Sequence, residues 1–144
     1  MAHPGPVQLD GPALEAFMDA YFPQARNFGH TIERVDEHGI RVTLPIAVRH
    51  LRPGGTVSGP TLMTLADTAM YLAVLSRVGP RALAVTTSLN INFLRRPDCA
   101  IVAAECRLLK LGRRLAVGDV LLYGDDDPRP VAQANVTYSL PPQP

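Results

Sequence analysis

The sequence predicts an α+β domain in which a curled antiparallel sheet wraps around one long central helix, preceded by a short N-terminal helix. Three observations carry this reading. From Pro60 to Ser76 every residue is helix-compatible and apolar side chains cover nearly the whole circumference, so this helix must be buried on all sides. About six other segments alternate apolar and polar residues with the period of a strand that has one buried face. Two of the joints between the later segments are short enough for hairpins, which makes antiparallel pairing the default. A single sheet curled on one helix leaves one side open, so a symmetric dimer is expected.

Each element has a local cause. Asp10 is a suitable N-cap for a helix that tolerates Pro12 in its first turn; Leu14, Phe17, Met18 and Tyr21 recur at helical spacing, and Pro23 stops the run. Ile32 to Val35 leads into the turn Asp36-Glu37-His38-Gly39. Ile40, Val42, Leu44 and Ile46 then alternate with Arg41 and Thr43. Arg49 to Gly59 is irregular because Pro53, Gly54 and Gly55 forbid regular structure. The central helix begins at Pro60, with Gly59 at the expected N-cap, and Gly79-Pro80 closes it. Strands follow over Val85 to Phe93, Val102 to Leu108, Leu115 to Tyr123 and Ala132 to Leu140. Gly118-Asp119 suggests a bulge or a polar edge. Residues 1–144 form a single domain, with 1–10 and 141–144 expected to be loose ends.

Composition narrows the function. Hydrophobic residues make up 47% and charged residues 19%, which excludes disorder, and a net charge of +1 gives no nucleic-acid footprint. Trp is absent and aromatics are 6%, which argues against a base-stacking platform. Cys99 and Cys106 make no disulfide framework, as expected of a reduced chain in the cytoplasm. No stretch reads as a signal core or a comfortable membrane span. The acidic triplet Asp125-Asp126-Asp127 reads as a solvated loop, and no metal site is expected.

The chemistry concentrates on the central helix. Asp67 is the charged residue in the middle of the apolar run, and burying an unpaired carboxylate costs several kcal/mol. Thr64, Asp67, Thr68 and Tyr71 stand three and four apart, so they share one ridge of the helix. Asp67 either works on a substrate or merely accepts structural hydrogen bonds. The helix start offers a backbone N–H at Gly59 where the dipole favours negative charge, a natural place for a developing oxyanion. Gly59 and Asp67 are about 12 Å of helix rise apart. They meet only if the loop curls over the helix or if Gly59 of one chain works with Asp67 of another.

The stretch Arg52-Pro53-Gly54-Gly55-Thr56-Val57-Ser58-Gly59-Pro60, followed by Leu65-Ala66-Asp67, resembles the hotdog-fold thioesterases of the phenylacetic-acid-degradation type. Their pattern reads Asn-Pro-x-Gly-x-x-His-Gly-Gly and then a helix bearing Leu-Ala-Asp. Thr86 to Pro97 resembles the next strand of that family with its Phe-Leu-Arg-Pro ending. The resemblance implies hydrolysis of acyl-coenzyme A thioesters in a cleft between two subunits, in a dimer or a dimer of dimers. It assigns Asp67 as general base or nucleophile, Gly59 as the N–H donor to the thioester carbonyl and Thr86 as the hydroxyl that positions water. No cofactor is implied beyond the CoA of the substrate.

Departures from the pattern are Arg52 for Asn, Ser58 for His and Pro60 for the second Gly. Ser58, Arg52, His50, Thr68, Arg95 and Arg96 are the candidate substrate-binding residues. Arg95 and Arg96, with Arg113 and Arg114, are candidates for the CoA phosphates. The competing readings are a non-catalytic acyl-CoA sensor using the same cleft and a hydratase of the same fold. The second needs a positioned His, and none of the four histidines lies on the central helix or a downstream strand.

Overall fold

A computed structural model describes residues 5–142 of the chain. Helix α1 spans Gly11–Tyr21 and is capped by Asp10, whose Oδ1 accepts the Ala13 N–H at 3.0 Å. Strands β1 (Thr31–Asp36) and β2 (Gly39–Pro45) form a hairpin, helix α2 covers Gly59–Val78, and strands β3 (Val85–Phe93), β4 (Ile101–Leu111), β5 (Leu115–Gly124) and β6 (Ala132–Ser139) follow. The six strands form one antiparallel sheet in the order β1-β2-β4-β5-β6-β3. The architecture expected from hydrophobic patterning is the one found.

The sheet curls around α2, which contacts β2, β3, β4, β5 and β6. Leu62, Leu65, Ala66, Ala69, Met70, Leu72, Ala73, Val74 and Leu75 are all at most 1% exposed. The packing explains Gly118. A Cβ there would stand 2.4 Å from Met70 Sδ, so the strand dispenses with a side chain where the helix presses on it. β5 itself stays regular at Gly118, and the register shift falls on the partner strand between Leu108 and Lys110.

Some local features differ from the sequence reading. Ser58, not Gly59, is the N-cap of α2, with its Oγ accepting the Thr61 N–H at 3.2 Å; Gly59 is the first helical residue. A hydroxyl that can reach a first-turn amide caps better than a glycine that cannot. A 3-10 turn over Pro23–Phe28, not expected from the sequence, carries the chain from α1 to β1. Of the ends expected to be loose, residues 1–4 and 143–144 lie outside the described residues. Residues 8 and 9 are docked, because the Gln8 and Leu9 N–H groups donate to the Ser76 carbonyl at 2.7 and 3.2 Å. The acidic triplet staples its loop: Asp125 Oδ1 accepts the Ala100 and Ile101 N–H groups, each at 3.0 Å, and Asp127 pairs with Arg129.

Candidate active site

Asp67 sits two turns into α2 on the side facing the start of β3 and the end of β6, and it is half-buried. Its Oδ1 accepts two hydroxyl donors, Thr86 Oγ1 at 2.6 Å from β3 and Tyr138 Oη at 2.8 Å from β6. Oδ2 accepts nothing from the described residues and is left for a water or a substrate atom. Main-chain donors therefore do not saturate the carboxylate. The side chain is held by one oxygen and offered by the other.

Tyr138 is the partner of Asp67 that the sequence reading missed. Alternation places it on the inner face of β6 with Ala132, Ala134 and Val136, and it passes for core. The available signal is chemical, since a buried phenol needs a hydrogen-bond partner. Here the ring is 3% exposed, and burial together with the Asp67 charge holds the phenol protonated, well above the usual phenol range. The group is a donor at every working pH. Tyr71, 6.0 Å from it between ring centroids, donates its own hydroxyl to the Ala82 carbonyl at 3.0 Å.

A cavity of about 400 Å³ opens beside Asp67. Met18, Phe22 and Ala25 from α1 and the 3-10 turn form one wall; Thr68 and Tyr71 from α2, and Ala82, Ala84, Val85 and Thr86 with Tyr138, complete it. Thr68 lines this cavity, while Thr64 bonds the Pro60 carbonyl of its own helix at 2.9 Å. Neither Met70, which is fully buried in the core, nor Phe93, which stands outside over Gly59, lines this space. A larger concavity of about 750 Å³ lies on the solvent face of β2, β4 and β5, away from Asp67. Its central charges are matched to one another, Arg34 and Arg41 both pairing with Glu105 at 2.9 and 2.6 Å.

The start of α2 presents one donor. Pro60 has no N–H, Ser58 Oγ occupies that of Thr61, and the Leu62 N–H reaches the Ser58 carbonyl at 3.2 Å. The Gly59 N–H donates to no described residue and stands at the positive end of the helix dipole. The Phe93 ring covers the glycine, with Cζ 3.3 Å from where a Cβ would be.

Two candidates turn out to be loop staples. His50 is 3% exposed; its Nδ1 accepts the Ala47 N–H at 2.9 Å, which leaves Nε2 to donate to the Phe28 carbonyl at 3.0 Å. Its ring has no donor left for a ligand. Ser58 donates its hydroxyl to Thr61 Oγ1 at 2.7 Å, and Thr61 passes the chain on to the His50 carbonyl at 3.2 Å. In this network both side chains are engaged by neighbouring groups of the loop and the helix start. Arg52 and Arg96 are exposed near the start of α2, with Arg96 Nη2 3.9 Å from the Cβ position of Gly54, while Arg95 is exposed and acts on the Asp127 carboxyl. Arg113 and Arg114 lie instead beside Val78, at the other end of the helix, so the four arginines form two groups.

Among the described residues no helix is long and apolar enough to cross a membrane, and no three His, Cys, Asp or Glu side chains converge as a metal site.

The model of the family described as "Thioesterase superfamily" matches residues 54–131, a span that includes Gly59, Asp67 and Thr86. The crystal structure of "a putative thioesterase" from Silicibacter sp. TM1040 superposes with a TM-score of 0.86 at 43% identity, covering 94% of each chain. "Putative esterase PA1618" of Pseudomonas aeruginosa is 30% identical over 118 residues, 79% of each chain. The phenylacetic acid degradation protein PaaI from Thermus thermophilus is 27% identical with a TM-score of 0.72, over 83% of this chain and 99% of that one. A curled six-stranded sheet around a buried helix, with a tethered carboxylate at an open cavity and a matching family model, makes this chain a member of the thioesterase superfamily: a hotdog-fold thioester hydrolase.

Proposed function

We propose that the protein hydrolyses acyl-coenzyme A thioesters, with Asp67 as the general base or nucleophile. The observation that supports this is the asymmetry of the carboxylate: Oδ1 is occupied by Thr86 and Tyr138, Oδ2 has no partner among the described residues, and Asp67 lines the cavity. A carboxylate pinned in one rotamer at a partly dry pocket is pre-oriented, and pre-orientation lowers the entropic part of the barrier. Thr86, already bonded to that carboxylate, is placed to steer the attacking water. The Gly59 N–H polarises the carbonyl and receives the charge that develops on its oxygen. Arg52 and Arg96 would flank the substrate near that donor.

The two halves of the chemistry belong to different chains of a dimer. Within one chain Gly59 and Asp67 are about 12 Å apart along α2, too far to share one thioester carbonyl. β3 is one of the two edge strands of the sheet, the other being β1, and it carries Val85 and Phe93 at 56% and 52% exposure, an unprotected edge that favours pairing. Phe93 marks the Gly59 end of β3 and Thr86 the Asp67 end. Pairing two β3 strands antiparallel, with Phe93 of one opposite Thr86 of the other, brings Gly59 of each chain to Asp67 of its partner. Dimers of this kind can pair again into a tetramer.

The test is thiol release from a panel of acyl-CoAs by the wild type and by Asp67→Asn. Turnover that falls at least a hundredfold in the variant supports the reading. Measurable binding with no turnover of any ester would instead make the protein an acyl-CoA sensor. The shared site has its own test: Gly59→Pro removes the N–H at the first helical position, where the φ of proline fits and the Phe93 ring has to give by a few tenths of an ångström. Mixed dimers of Gly59→Pro and Asp67→Asn chains contain one intact site and regain activity; no recovery on subunit exchange refutes the cross-chain site.

A further inference from the structure

The register of β3 against β6 breaks once, beside the carboxylate of Asp67. Thr86 lies opposite Tyr138 and Ser88 opposite Thr137, so Thr87 is an extra residue on β3, a bulge with no counterpart on β6. That extra residue decides which way Thr86 faces. Leu89 and Ile91 pack against the core and set the inner face of β3. Counting back from them by twos reaches Thr87 and Val85, which would leave Thr86 on the outer face with Ser88 and Asn90. One inserted residue reverses the phase. Thr86 therefore comes opposite the buried Tyr138, and the two hydroxyls meet at Asp67 Oδ1, at 2.6 and 2.8 Å.

The bulge has its own fastening. Thr87 Oγ1 donates to the carbonyl of Thr137, the residue opposite Ser88, at 3.3 Å. Neither Thr86 nor Thr87 has a positive φ, so the bulge is not built on the left-handed backbone that a glycine would supply. β3 is an edge strand, and among the described residues β6 alone sets its register. We infer that Thr87 is a positioning residue: its bulge, fastened to Thr137, turns the Thr86 hydroxyl inward onto Asp67. The inference rests on the reading of Asp67 as the working carboxylate and adds the device that aims its partner. Thr87 acts through Thr86 and not on the substrate.

The experiment removes the bulge and then the fastening. Deleting Thr87 restores an unbroken ladder, sends Thr86 to the outer face and brings Val85 opposite Tyr138. For the best acyl-CoA of a panel, kcat should fall at least about tenfold, to the level of Thr86→Val, while KM moves less than about twofold. Adding Val85→Thr to the deletion returns a hydroxyl to the inner face and should recover most of the loss, which a merely structural role for Thr87 would not allow. The deletion also draws about 3.4 Å of chain from the loop before β3, so point variants keep the test open if it fails to fold. The net worth of one neutral hydrogen bond is a factor of roughly 2–12 in an equilibrium. Thr87→Val should lower kcat by about that factor, Thr87→Ser should restore it, and in a Thr86→Val background Thr87→Val should cost nothing further. Unchanged kcat in Thr87→Val, or the same loss with and without the Thr86 hydroxyl, overturns the inference. Crystal structures of the deletion and of Thr87→Val need no turnover, and a Thr86 hydroxyl still bonded to Asp67 in both would overturn it as well. A wild type that hydrolyses no thioester would refute the hydrolytic reading, and those structures would then decide this one.

Discussion

Replacing Tyr138 by Phe removes one oxygen and nothing else, from a ring 3% exposed whose hydroxyl lies 2.8 Å from Asp67 Oδ1. A hydrogen bond to a charged group contributes about 1.5–3 kcal/mol. Asp67 is half-buried and Thr86 still holds the same oxygen, so the lower end of that range, about 1.5 kcal/mol, is the reasoned loss of stability. Unfolding entropy for a chain of this length is roughly 0.3 kcal/mol per degree, so Tm should fall by about 5 °C. Thr86→Val removes the other donor. Because each hydroxyl partly compensates for the absence of the other, the double variant should lose more than the sum of the two, with a coupling of at least about 0.5 kcal/mol. Turnover should drop about tenfold in Tyr138→Phe, since a carboxylate released from one anchor spends less time in the reactive rotamer. Thermal denaturation of the four proteins in the cycle, with kcat for one acyl-CoA, measures all of this. A Tyr138→Phe protein that melts within about 1 °C of wild type, together with an additive cycle, would show that the phenol does not hold the carboxylate.

Three other outcomes follow from the packing. Ala25→Phe narrows the wall of the 400 Å³ cavity; kcat/KM for the longest acyl chain accepted should fall about 10- to 100-fold while the shortest is spared, as a substrate panel would show. Gly118→Ala sets a Cβ 2.4 Å from the Sδ of the fully buried Met70 and should cost about 1–3 kcal/mol in urea denaturation. Adding Met70→Ala should recover part of that loss in Gly118→Ala, whereas alone it should destabilise. Burial pushes the Cys106 thiol up to about 12 and that of Cys99 up to about 11, so neither forms appreciable thiolate near neutral pH. Native protein should resist a thiol reagent at Cys106 until denatured, and rapid stoichiometric labelling of the folded chain there, read by mass spectrometry, would contradict the burial.

The order and type of the elements were legible in the chain because they depend on neighbours in sequence. Alternation at period two, a helix apolar all round, the Asp10 cap and the stops at Pro23 and Gly79 act within a few residues. Asp67 announced itself for the same reason, as a charge in a run that has to be buried. Only the folded chain decided what that charge touches. Tyr138 is 71 residues away and reaches Asp67 because β6 packs against α2, and it meets Thr86 there because β6 lies beside β3, neighbour relations that no local pattern encodes. Tertiary structure also settled the histidine. In the sequence His50 is a polar loop residue, but in the fold the Ala47 N–H and the Phe28 carbonyl occupy both its nitrogens. The four arginines looked like one cluster because all lie in turns, yet α2 separates them, since its length puts the two turns at opposite ends. Periodicity and punctuation specify which segments form strands and helices; which side chains meet depends on sheet order and on the close packing of a helix against it, and those are properties of the whole chain.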